Sequence, residues 1–446
     1  MPGCLAAAPT GQHEAVFSLV ASTQLSKKTH RQLIPDMQSQ GKAARVLQER
    51  NSDFSAPVVI VGIDDERGVH VARTMARHGI KTIALAKNAK SVGARTRTCR
   101  KILVANTDSD DVINKLVELG ESLTSKAVLI PCFDTVVSLI SQHRDRLAGL
   151  YHLALPHADT IDLIRDKARF YEFAEANDYV VPKTVLLRGP DDLNEVSRQL
   201  RFPCIIKPVD SKSLRWQAVT HIKAFLADNE TVLRELYERY RDAADILIAQ
   251  EMVEGNDSSI YTCLGYYNAQ SEPLVEFTSR KLRQWPPRTG VGCLAEEVRQ
   301  DEVRETARRL LKQLQFRGLC SLEMKQDACD GKFYIIEANI GRPTGRSAHA
   351  EACGVELLLT LYCDAQGLPP PEQRIQSFER RKWMNIRRDA MSSLSYWWRG
   401  ELKFLEWWRS IQGDMSYALF SWRDPGPFLG EITNTFRRAL KKLFRK

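Results

Sequence analysis

The chain has 446 residues, of which 43% are hydrophobic and 27% charged, and its formal net charge is +9. This length and hydrophobic content indicate a globular protein of roughly three domains and argue against a disordered chain. The ten cysteines include no CxxC pair, which disfavours a zinc site and a disulfide framework and indicates a reducing compartment.

No apolar run reaches the ~18 residues of a membrane-spanning helix, and the N-terminus lacks the basic and apolar regions of a secretory signal. We therefore expect a cytoplasmic protein. The positive charge fits nucleic acid, a membrane surface or an anionic small substrate, and charge alone does not choose among these partners.

Residues 1–55 are polar and weakly patterned, which predicts a flexible extension, with Met37 as an alternative start. At Pro57 the pattern changes to a buried strand, a glycine-containing turn, an amphipathic helix and a second buried strand, which together predict a βαβ unit. Further strands are predicted at 101–105 and 127–134, and further helices at 110–121 and from Thr135 onwards. We therefore predict a Rossmann-like parallel α/β domain over residues 56–155.

Ligands of parallel α/β sheets bind at the carboxyl ends of the strands. The side chains predicted at that edge are Asp64, Asp65, Arg67 and Asp134. They are candidate substrate contacts, although turn and helix-cap chemistry explains them about as well. The turn over residues 62–68 does not match GxGxxG, so a dinucleotide is not indicated.

Residues 156–366 mix strands and helices in a pattern that predicts an α+β domain. Helices are predicted near 159–177, after Pro190, at 231–241 and at 301–314. A triple proline at 369–371 ends this region.

Two strands near the end of this region, LCSLEMK and FYIIEAN, carry Glu323 and Glu337. In an antiparallel hairpin the parity of the loop decides which side chains share a face. A two-residue turn at 330–331 would place Met324 opposite Glu337. A loop of odd length instead gathers Glu323, Glu337 and Asn339 on one face, so we predict an odd loop. The opposite, apolar face would then comprise Cys320, Leu322, Met324, Tyr334, Ile336 and Ala338.

Two carboxylates that face each other repel unless a cation lies between them. Glu323, Glu337 and the amide oxygen of Asn339 are the oxygen ligands that Mg²⁺ takes together with substrate phosphates. The alternative is that the carboxylates pair with basic neighbours, namely Lys325, Arg342 or Arg346. Because three oxygen ligands fall on one predicted face, we favour the metal.

Lys207 ends the apolar strand PCIIKPV. A lysine in a buried strand is costly unless it is paired or faces a ligand, so Lys207 is a candidate for binding an anionic group. Lys167 lies at a predicted helix start, where a solvent-facing lysine is common and indicates little by itself.

The order of these motifs resembles the ATP-grasp superfamily of carboxylate–amine ligases, especially the branch of D-alanine–D-alanine and D-aspartate ligase-like enzymes. The resemblance covers roughly residues 57–366 and rests on the acid-bearing strands ending in EANIGRP, the lysine of IIKP and the segment QEMVEGND. It implies that residues 56–155 are a pre-ATP-grasp domain and that residues 156–366 are a two-lobed ATP-grasp domain. The smaller lobe would cover about 165–255 and the larger about 256–366.

The resemblance also implies which residues bind ATP. These residues are Lys167, Lys207, Ser211, Ser213, Glu251, Val253, Asp257 and Lys281. The two lysines of the smaller lobe would contact phosphates, Glu251 and the Val253 backbone would meet adenine, and Asp257 would hold the ribose hydroxyls. Arg280 and Lys281 would be phosphate or substrate contacts, with a solvated basic strand edge as the alternative for both.

By the same resemblance, Glu323, Glu337 and Asn339 would carry one or two Mg²⁺ ions, with Mn²⁺ as a substitute. Arg342 and Lys207 would be catalytic, with Arg342 contacting the transferred phosphate or the developing oxyanion. Here IGRP stands in place of the family's usual NPR, which leaves the partner of Arg342 open.

The phosphate-covering loop of the family is usually rich in glycine, whereas this chain has DSKSLRW at that place. Glycine allows the backbone to approach phosphate closely. The hydroxyls of Ser211 and Ser213, together with Lys212, would have to substitute for it. Otherwise the loop is stiffer and the enzyme is slow or inactive.

The implied reaction joins a small-molecule or peptide carboxylate to an amine through an acyl phosphate, with release of ADP and phosphate, and needs no protein nucleophile. The competing interpretation is a catalytically weak ATP-binding module that its C-terminal tail recruits to a membrane or an enzyme complex.

Residues 367–446 are predicted to form a tryptophan-rich, basic helical tail. In its last segment the apolar residues at helical spacing are Ile432, Phe436, Leu440, Leu443 and Phe444. The rest of that helix is basic: Arg437, Arg438, Lys441, Lys442 and Arg445. Such a helix contacts the inner face of a membrane peripherally, through residues 430–446, or packs its apolar stripe on the protein. No nucleic-acid-binding module is recognisable, so we expect no nucleic-acid partner.

Overall fold

The apolar run after Pro57 forms the central strand of a five-stranded parallel sheet with the order β3-β2-β1-β4-β5. Its residues Val58–Val61 are fully buried, as expected for a central parallel strand. The strands are β1 Val58–Val61, β2 Thr82–Ala86, β3 Lys101–Val104, β4 Ala127–Pro131 and β5 Tyr151–Leu153. The helices of this region are α1 Glu66–Arg77, α2 Asp111–Glu121, α3 Asp134–Gln142 and α4 Arg144–Ala148.

The computed structural model describes residues 54–209, 213–220, 222, 224–288 and 290–443. The predicted extension over residues 1–55 therefore lies outside the described residues, except for Phe54 and Ser55.

A four-stranded antiparallel sheet follows along the chain, with the order β6-β9-β7-β8. Its strands are β6 Thr184–Leu187, β7 Cys204–Pro208, β8 Phe225–Ala227 and β9 Leu247–Glu251. The helices before and between them are α5 Ala158–Arg165, α6 Lys167–Ala176, α7 Asp192–Gln199, α8 Leu214–Val219 and α9 Glu230–Tyr240. The single helix predicted at 159–177 is broken at Asp166, whose carboxylate accepts hydrogen bonds from the backbone N–H groups of Ala168 and Arg169 and so begins α6.

The third sheet has seven strands in the order β14-β13-β10-β11-β12-β15-β16. Its strands are β10 Ile260–Tyr267, β11 Pro273–Trp285, β12 Val291–Glu297, β13 Gly318–Gln326, β14 Phe333–Ile340, β15 Lys382–Met384 and β16 Met415–Tyr417. The accompanying helices are α10 Asp301–Gln313, α11 Ser347–Ala352, α12 Leu357–Gln366, α13 Ile386–Trp398, α14 Phe404–Ser410 and α15 Gly426–Leu443. All neighbouring strands are antiparallel except β15 and β16.

Two hydrophobic cores support these sheets. One core is shared by the parallel sheet and the seven-stranded sheet, and it contains Leu129, Leu310 and Leu322. The four-stranded sheet packs its own helices around a separate core that includes Trp216 and Leu233. The chain thus has the mixed α/β character that the sequence predicts. The first sheet is parallel, and the two later sheets are antiparallel except for the pair β15–β16.

The segment predicted as a helical tail, residues 367–446, is not purely helical. It contains three helices, α13 to α15, but it also adds β15 and β16 to the seven-stranded sheet. Buried ion pairs fix it to the rest of the protein, since Asp389 binds Arg283 of β11 at 2.8 Å and Asp424 binds Arg73 of α1 at 2.9 Å. Within the described part of the chain, no helix is both long enough and apolar enough to cross a membrane.

Candidate active site

The strand pair β13–β14 places Glu323 directly opposite Glu337, and Ser321 opposite Asn339. Because side chains on a strand alternate, Glu323, Glu337 and Asn339 share one face of the sheet, as predicted. The predicted reason is wrong, however. Gln326 pairs with Phe333, so the connecting loop is even, and the register is shifted by a β-bulge between Glu323 and Met324.

The bulge adds Ile336 as an extra residue in β14, because Glu323 pairs with Glu337 while Met324 pairs with Ile335. The apolar face consequently differs from the predicted one. Ile335 and Phe333 are buried in the core, whereas Tyr334 and Ile336, which were predicted to lie there, are only half-buried. A hairpin with an even loop can therefore present both glutamates on one face, provided that one strand carries an extra residue.

Two cations hold the carboxylate of Glu323. Lys281 Nζ donates a hydrogen bond to its Oε2 at 2.7 Å, and Arg346 donates to its Oε1. Burial alone would raise the pKa of Glu323, but the charges and hydrogen bonds of Lys281 and Arg346 outweigh it and lower the pKa to about 2. The carboxylate is thus ionised at neutral pH, and the pairing with Arg346 realises part of the alternative that the sequence left open.

Glu337 is exposed, in contrast to its partner across the strand pair. Asn339, two residues further along the same face, accepts a hydrogen bond from Arg342 at 2.6 Å through its Oδ1. The same guanidinium forms a bidentate pair with the Asp134 carboxylate, at 2.6 and 3.1 Å. Since Asp134 begins α3 of the parallel region, this contact joins the carboxyl edge of the parallel sheet to the acidic strand pair.

Lys207 reaches the same site from the four-stranded sheet. Its Nζ donates to Gln250 Oε1 at 2.7 Å and lies 5.4 Å from the ring centroid of Tyr171. Burial lowers the pKa of Lys207 to about 8, and the charge of Glu337 partly opposes this shift. Lys207 therefore remains largely protonated at neutral pH and faces an exposed carboxylate.

Lys167, the first residue of α6, lies beside the end of the Lys207 strand. Its Nζ donates to the backbone carbonyl of Val209 at 3.0 Å. The structure thus brings two predicted phosphate-binding lysines to one end of β7, although only Lys207 was indicated by the residues alone.

Several buried polar atoms next to Glu323 lack a hydrogen-bond partner among the described residues. They are Thr262 Oγ1, which belongs to the residue paired with Glu323 in β10, Ser279 Oγ in β11, and Arg346 Nε. Buried polar groups are normally satisfied. This row of unpaired atoms beside an ionised carboxylate therefore fits a polar ligand.

The predicted adenine and ribose contacts have other partners. Glu251 accepts a hydrogen bond from the backbone N–H of Arg201 at 3.1 Å and points away from Lys207, because its strand neighbour Gln250 takes the Lys207 face. Glu251 instead lines a cavity of about 360 Å³ together with Tyr334 and Arg201. The backbone carbonyl of Val253 accepts from Lys325 Nζ at 2.6 Å.

Asp257 is buried, and both of its carboxylate oxygens are engaged. Its Oδ1 accepts hydrogen bonds from Gln284 Nε2 at 2.8 Å and from the backbone N–H of Arg288 at 3.2 Å. Its Oδ2 accepts hydrogen bonds from the Tyr396 hydroxyl and from the backbone N–H of Gln284. In this conformation the carboxylate joins the ends of β11 and α13.

The remaining candidates from the ATP-grasp resemblance make contacts within the protein. Arg280 pairs with the buried Glu296, on the strand face opposite Lys281. Ser213 caps α8 by accepting a hydrogen bond from the Trp216 backbone at 3.2 Å, and Ser211 lies outside the described residues.

The acids predicted at the edge of the parallel sheet have different partners. Asp64 accepts hydrogen bonds from the backbone of Lys87 and Asn88. Asp65 caps α1 and binds Arg67. Of these acids, Asp134 alone reaches Arg342.

Two contributors were not assigned a role from the sequence, Gln250 and Tyr171, while Arg346 had been named only as an alternative partner of the carboxylates. Gln250 could have been found, because strand alternation puts it rather than Glu251 on the face of Lys207. Tyr171 reaches the site only through the packing of α6 against the sheets, which the sequence pattern does not encode.

Two carboxylates and one amide oxygen form the donor set of the acidic pair. Among the residues that the structure describes, no three His, Cys, Asp or Glu side chains form a metal-binding group. Such a set suits an ion that takes most of its ligands from water and phosphate oxygens, as Mg²⁺ does, rather than one that needs a complete protein cage.

No protein-family model matches the chain. A curated relative, the D-aspartate ligase of Enterococcus faecium (strain Aus0004), is 25% identical over 262 residues, which are 55% of this chain and 61% of the relative. The match thus spans less than two thirds of the relative's length.

Solved structures share the fold at low identity. N5-carboxyaminoimidazole synthetase from Staphylococcus aureus superposes with a TM-score of 0.59 at 16% identity, over 78% of this chain and 86% of that chain. The biotin carboxylase domain of the 2-oxoglutarate carboxylase of Hydrogenobacter thermophilus, solved with MgADP, ADP and bicarbonate, gives a TM-score of 0.56 at 15% identity, over 73% of this chain and 72% of that chain. These likenesses establish the fold of the three-sheet body.

Proposed function

We propose that this chain, an ATP-grasp protein homologous to a D-aspartate ligase, is a ligase that uses ATP to join a carboxylate to an amine and releases ADP and phosphate. The observation that carries the proposal is the facing pair Glu323 and Glu337, with Asn339 on the same face. Four cations surround this face and suit a substrate rich in phosphate: Lys207, Lys281, Arg342 and Arg346.

The donor set fits Mg²⁺, and Mn²⁺ would be accommodated by the same oxygen ligands. Glu337 is exposed and free to bind a cation directly, whereas Glu323 and Asn339 would share oxygens that now accept hydrogen bonds from Lys281, Arg346 and Arg342. When bound, the ion supplies positive charge to the phosphate oxygens of ATP. The orphaned Arg346 Nε and the Thr262 hydroxyl next to it support a polar ligand at this place.

In the proposed reaction a substrate carboxylate oxygen attacks the γ-phosphorus of ATP, and the bond to ADP breaks. The amine then attacks the carbonyl carbon of the acyl phosphate, loses a proton and expels phosphate. Lys207 would neutralise charge on the γ-phosphate, since its pKa of about 8 leaves it largely cationic at neutral pH. Lys167 would assist from the neighbouring end of the strand, and no protein nucleophile is required.

We propose that Arg342 binds the transferred phosphoryl group or the oxyanion of the tetrahedral intermediate. Its planar guanidinium already makes a bidentate pair with Asp134 and a third contact to Asn339. Asp134 would thereby fix the orientation of Arg342. For the adenine, the Val253 backbone remains our proposed contact, while Glu251 and Asp257 receive no support from their observed partners.

The substrate that becomes activated is proposed to be a small amino acid or similar carboxylate, because the relative is named for D-aspartate. The acceptor would be a small-molecule or peptide amine. Both would bind between the carboxyl edge of the parallel sheet and the acidic strand pair, where Asp134 and Arg342 meet.

The test is release of ADP with Mg²⁺ over a panel of amino acids and amine acceptors, for the wild type and for Glu337→Gln. Because Glu337 is exposed, the variant should fold normally and lose roughly 10²-fold or more of kcat/KM. Glu118→Gln, an exposed glutamate of α2, is the matched control and should retain wild-type rates.

Unchanged kinetics in Glu337→Gln would refute the metal assignment. Tight Mg²⁺-dependent ATP binding with no turnover on any substrate pair would refute the ligase and leave an ATP-binding module.

A further inference from the structure

The last three helices expose large apolar side chains. Along α13 the apolar residues Met391, Leu394 and Trp398 follow one another at helical spacing and form one stripe, which Arg387 precedes at the same spacing. Trp398 is 95% exposed and Leu394 57%. Apolar side chains of this size are rarely left in solvent as a continuous stripe unless they serve an interaction.

The stripe continues into an aromatic cluster at the junction with α14. The ring of Trp397 lies 5.7 Å from that of Trp407 and 6.4 Å from that of Phe404, and the rings of Trp407 and Trp408 are 6.2 Å apart. The outer members remain open to solvent, since Phe404 is 60% and Trp408 50% exposed. We call the exposed set Leu394, Trp398, Phe404, Leu405 and Trp408 the tail surface.

Helix α15 adds a second exposed apolar stripe near the same helix. Glu431 of α15 pairs at 3.0 Å with Arg387, which lies one turn before the α13 stripe. The described side chains of the predicted stripe are not packed away, since Ile432 is 37%, Phe436 66% and Leu440 51% exposed, while the side chains of Leu443 and Phe444 lie outside the described part of the chain. Of the two predicted arrangements of this helix, the structure therefore favours the one in which its apolar side chains face outwards.

The charge of the chain is concentrated in the same segment. Residues 381–446 contain fourteen Lys and Arg and six Asp and Glu, a net charge of +8 out of +9 for the whole chain. At the tail surface itself, Arg399, Lys403 and Arg409 are exposed among the aromatic residues. Large apolar side chains and excess positive charge thus occur together.

We propose that the tail surface and α15 dock the protein on an anionic lipid surface. Tryptophan and phenylalanine insert at the boundary between headgroups and acyl chains, and each nearby Lys or Arg gains about 1 kcal/mol from the negative surface potential. Docking of this kind would hold the ATP site close to the membrane without a spanning helix.

The test is flotation of the full chain with vesicles of phosphatidylcholine, with and without phosphatidylglycerol. We expect binding only to the anionic vesicles, and weaker binding at high salt. Replacing Trp398 and Trp408 with alanine together should weaken binding roughly tenfold or more, and Lys403→Gln should weaken it about fivefold at low salt.

The matched control is Ile375→Ala, since Ile375 is 81% exposed but lies outside the tail surface. It should bind like the wild type. All the replaced residues are exposed, so the variants should keep the thermal unfolding midpoint and the ADP release of the wild type in solution, which separates this test from that of the ligase.

Equal binding of the wild type and the double tryptophan variant to anionic vesicles would overturn the proposal. A dimer in sedimentation equilibrium that disappears in the tryptophan variant, without any vesicle binding, would also overturn it and assign the surface to self-association.

Discussion

Two cations hold the Glu323 carboxylate, while Glu337, across the strand pair, is exposed. At the scale of single residues, the two glutamates thus have different tasks: one is a fixed buried charge and the other is open to a ligand. A buried carboxylate with two cationic partners stabilises the fold only while it is ionised.

This yields a prediction for pH. The pKa of Glu323 is lowered from 4.5 to about 2, so its ionised form stabilises the folded protein above pH ~4.5, and this contribution is lost as the pH falls towards 2. The shift corresponds to about 3 kcal/mol. Glu323→Gln should therefore be less stable than the wild type at neutral pH, and the difference should shrink as the pH falls from about 5 to about 2.

Urea denaturation of both proteins across this pH range measures the difference. Glu118→Gln, whose side chain is 71% exposed, should differ little from the wild type at any pH. A stability difference between Glu323→Gln and the wild type that stays constant down to pH ~2 would mean that the pKa of Glu323 is not lowered.

At this scale the sequence predicted that Glu337 and Asn339 share a face, because strand alternation is a local rule. Glu323 was placed with them by an odd loop, whereas the structure places it there by a bulge. It did not predict the buried contacts of Asp257 with Gln284 and Tyr396. Tyr396 lies 139 residues away along the chain. The carboxylate that ends the segment QEMVEGND looks the same in the sequence whether it binds a ligand or another part of the protein.

At the scale of elements, the bulge at Ile336 sets the register of the acidic pair. With an even loop and no extra residue, Glu323 would face Ile336 and Glu337 would point into the core beside Leu322. The bulge prevents this arrangement. The bulge depends on how β14 packs against α6, where Tyr171 donates a hydrogen bond to the Ile336 carbonyl at 3.1 Å. This contact is not visible in the sequence, so the parity of the loop alone led to the wrong loop length.

Deleting Ile336 should be tolerated, because the shortened strand would pair Glu323 with Glu337 and Met324 with Ile335 without a bulge. We expect a loss of about 1 to 2 kcal/mol in the free energy of unfolding. Deleting Ala338, in the same strand, is the matched control. Either Glu337 or Asn339 would then face the core, at a cost of more than about 3 kcal/mol.

Thermal and urea unfolding of the two deletion variants give the comparison. If deletion of Ile336 were as damaging as deletion of Ala338, the bulge would not be the device that sets the register.

At the scale of the whole molecule, the C-terminal segment is part of the body. Asp424 is buried, and its carboxylate accepts hydrogen bonds from Arg73 of α1, from the Thr96 hydroxyl and from the Arg97 backbone. Its own backbone carbonyl also accepts from Arg73. This buried acid thereby joins the tail to the parallel sheet region, and it lies 351 residues from its partner Arg73.

Asp424→Asn removes the charge opposite Arg73 and should lower the free energy of unfolding by about 3 kcal/mol, since one partner of a buried pair is left uncompensated. The tail and the body should unfold in one transition, which moves to a lower urea concentration in the variant. Six of the eight tryptophans lie in residues 381–446. Tryptophan fluorescence therefore reports the tail, and far-ultraviolet circular dichroism reports the body.

We expect the two signals to give coincident transitions in both the wild type and the variant. A tail transition that moves to lower urea alone would show that this segment unfolds as a separate unit. Asp414→Asn is a suitable control, because Asp414 is 73% exposed on its side chain.

The order of strands and helices was predicted well over residues 57–366, because hydrophobic periodicity and turn residues are local signals. The strands β15 and β16 were not predicted. They have three residues each. Strand β15 takes its place by pairing with β12, far away along the chain, and β16 then pairs with β15. Short strands of this kind have too little pattern to be recognised without their partner.

The strand β15 also has a consequence for experiments that remove the tail. It covers the outer edge of β12, so a protein shortened near residue 370 would expose the backbone donors and acceptors of Val291–Glu297 along a mostly buried, apolar strand. Unprotected edges of this kind pair with other chains and aggregate. Insolubility or loss of activity after such a truncation would therefore report the opened sheet edge. The role of the tail surface is tested separately by substitutions at its exposed tryptophans, which leave β15 in place.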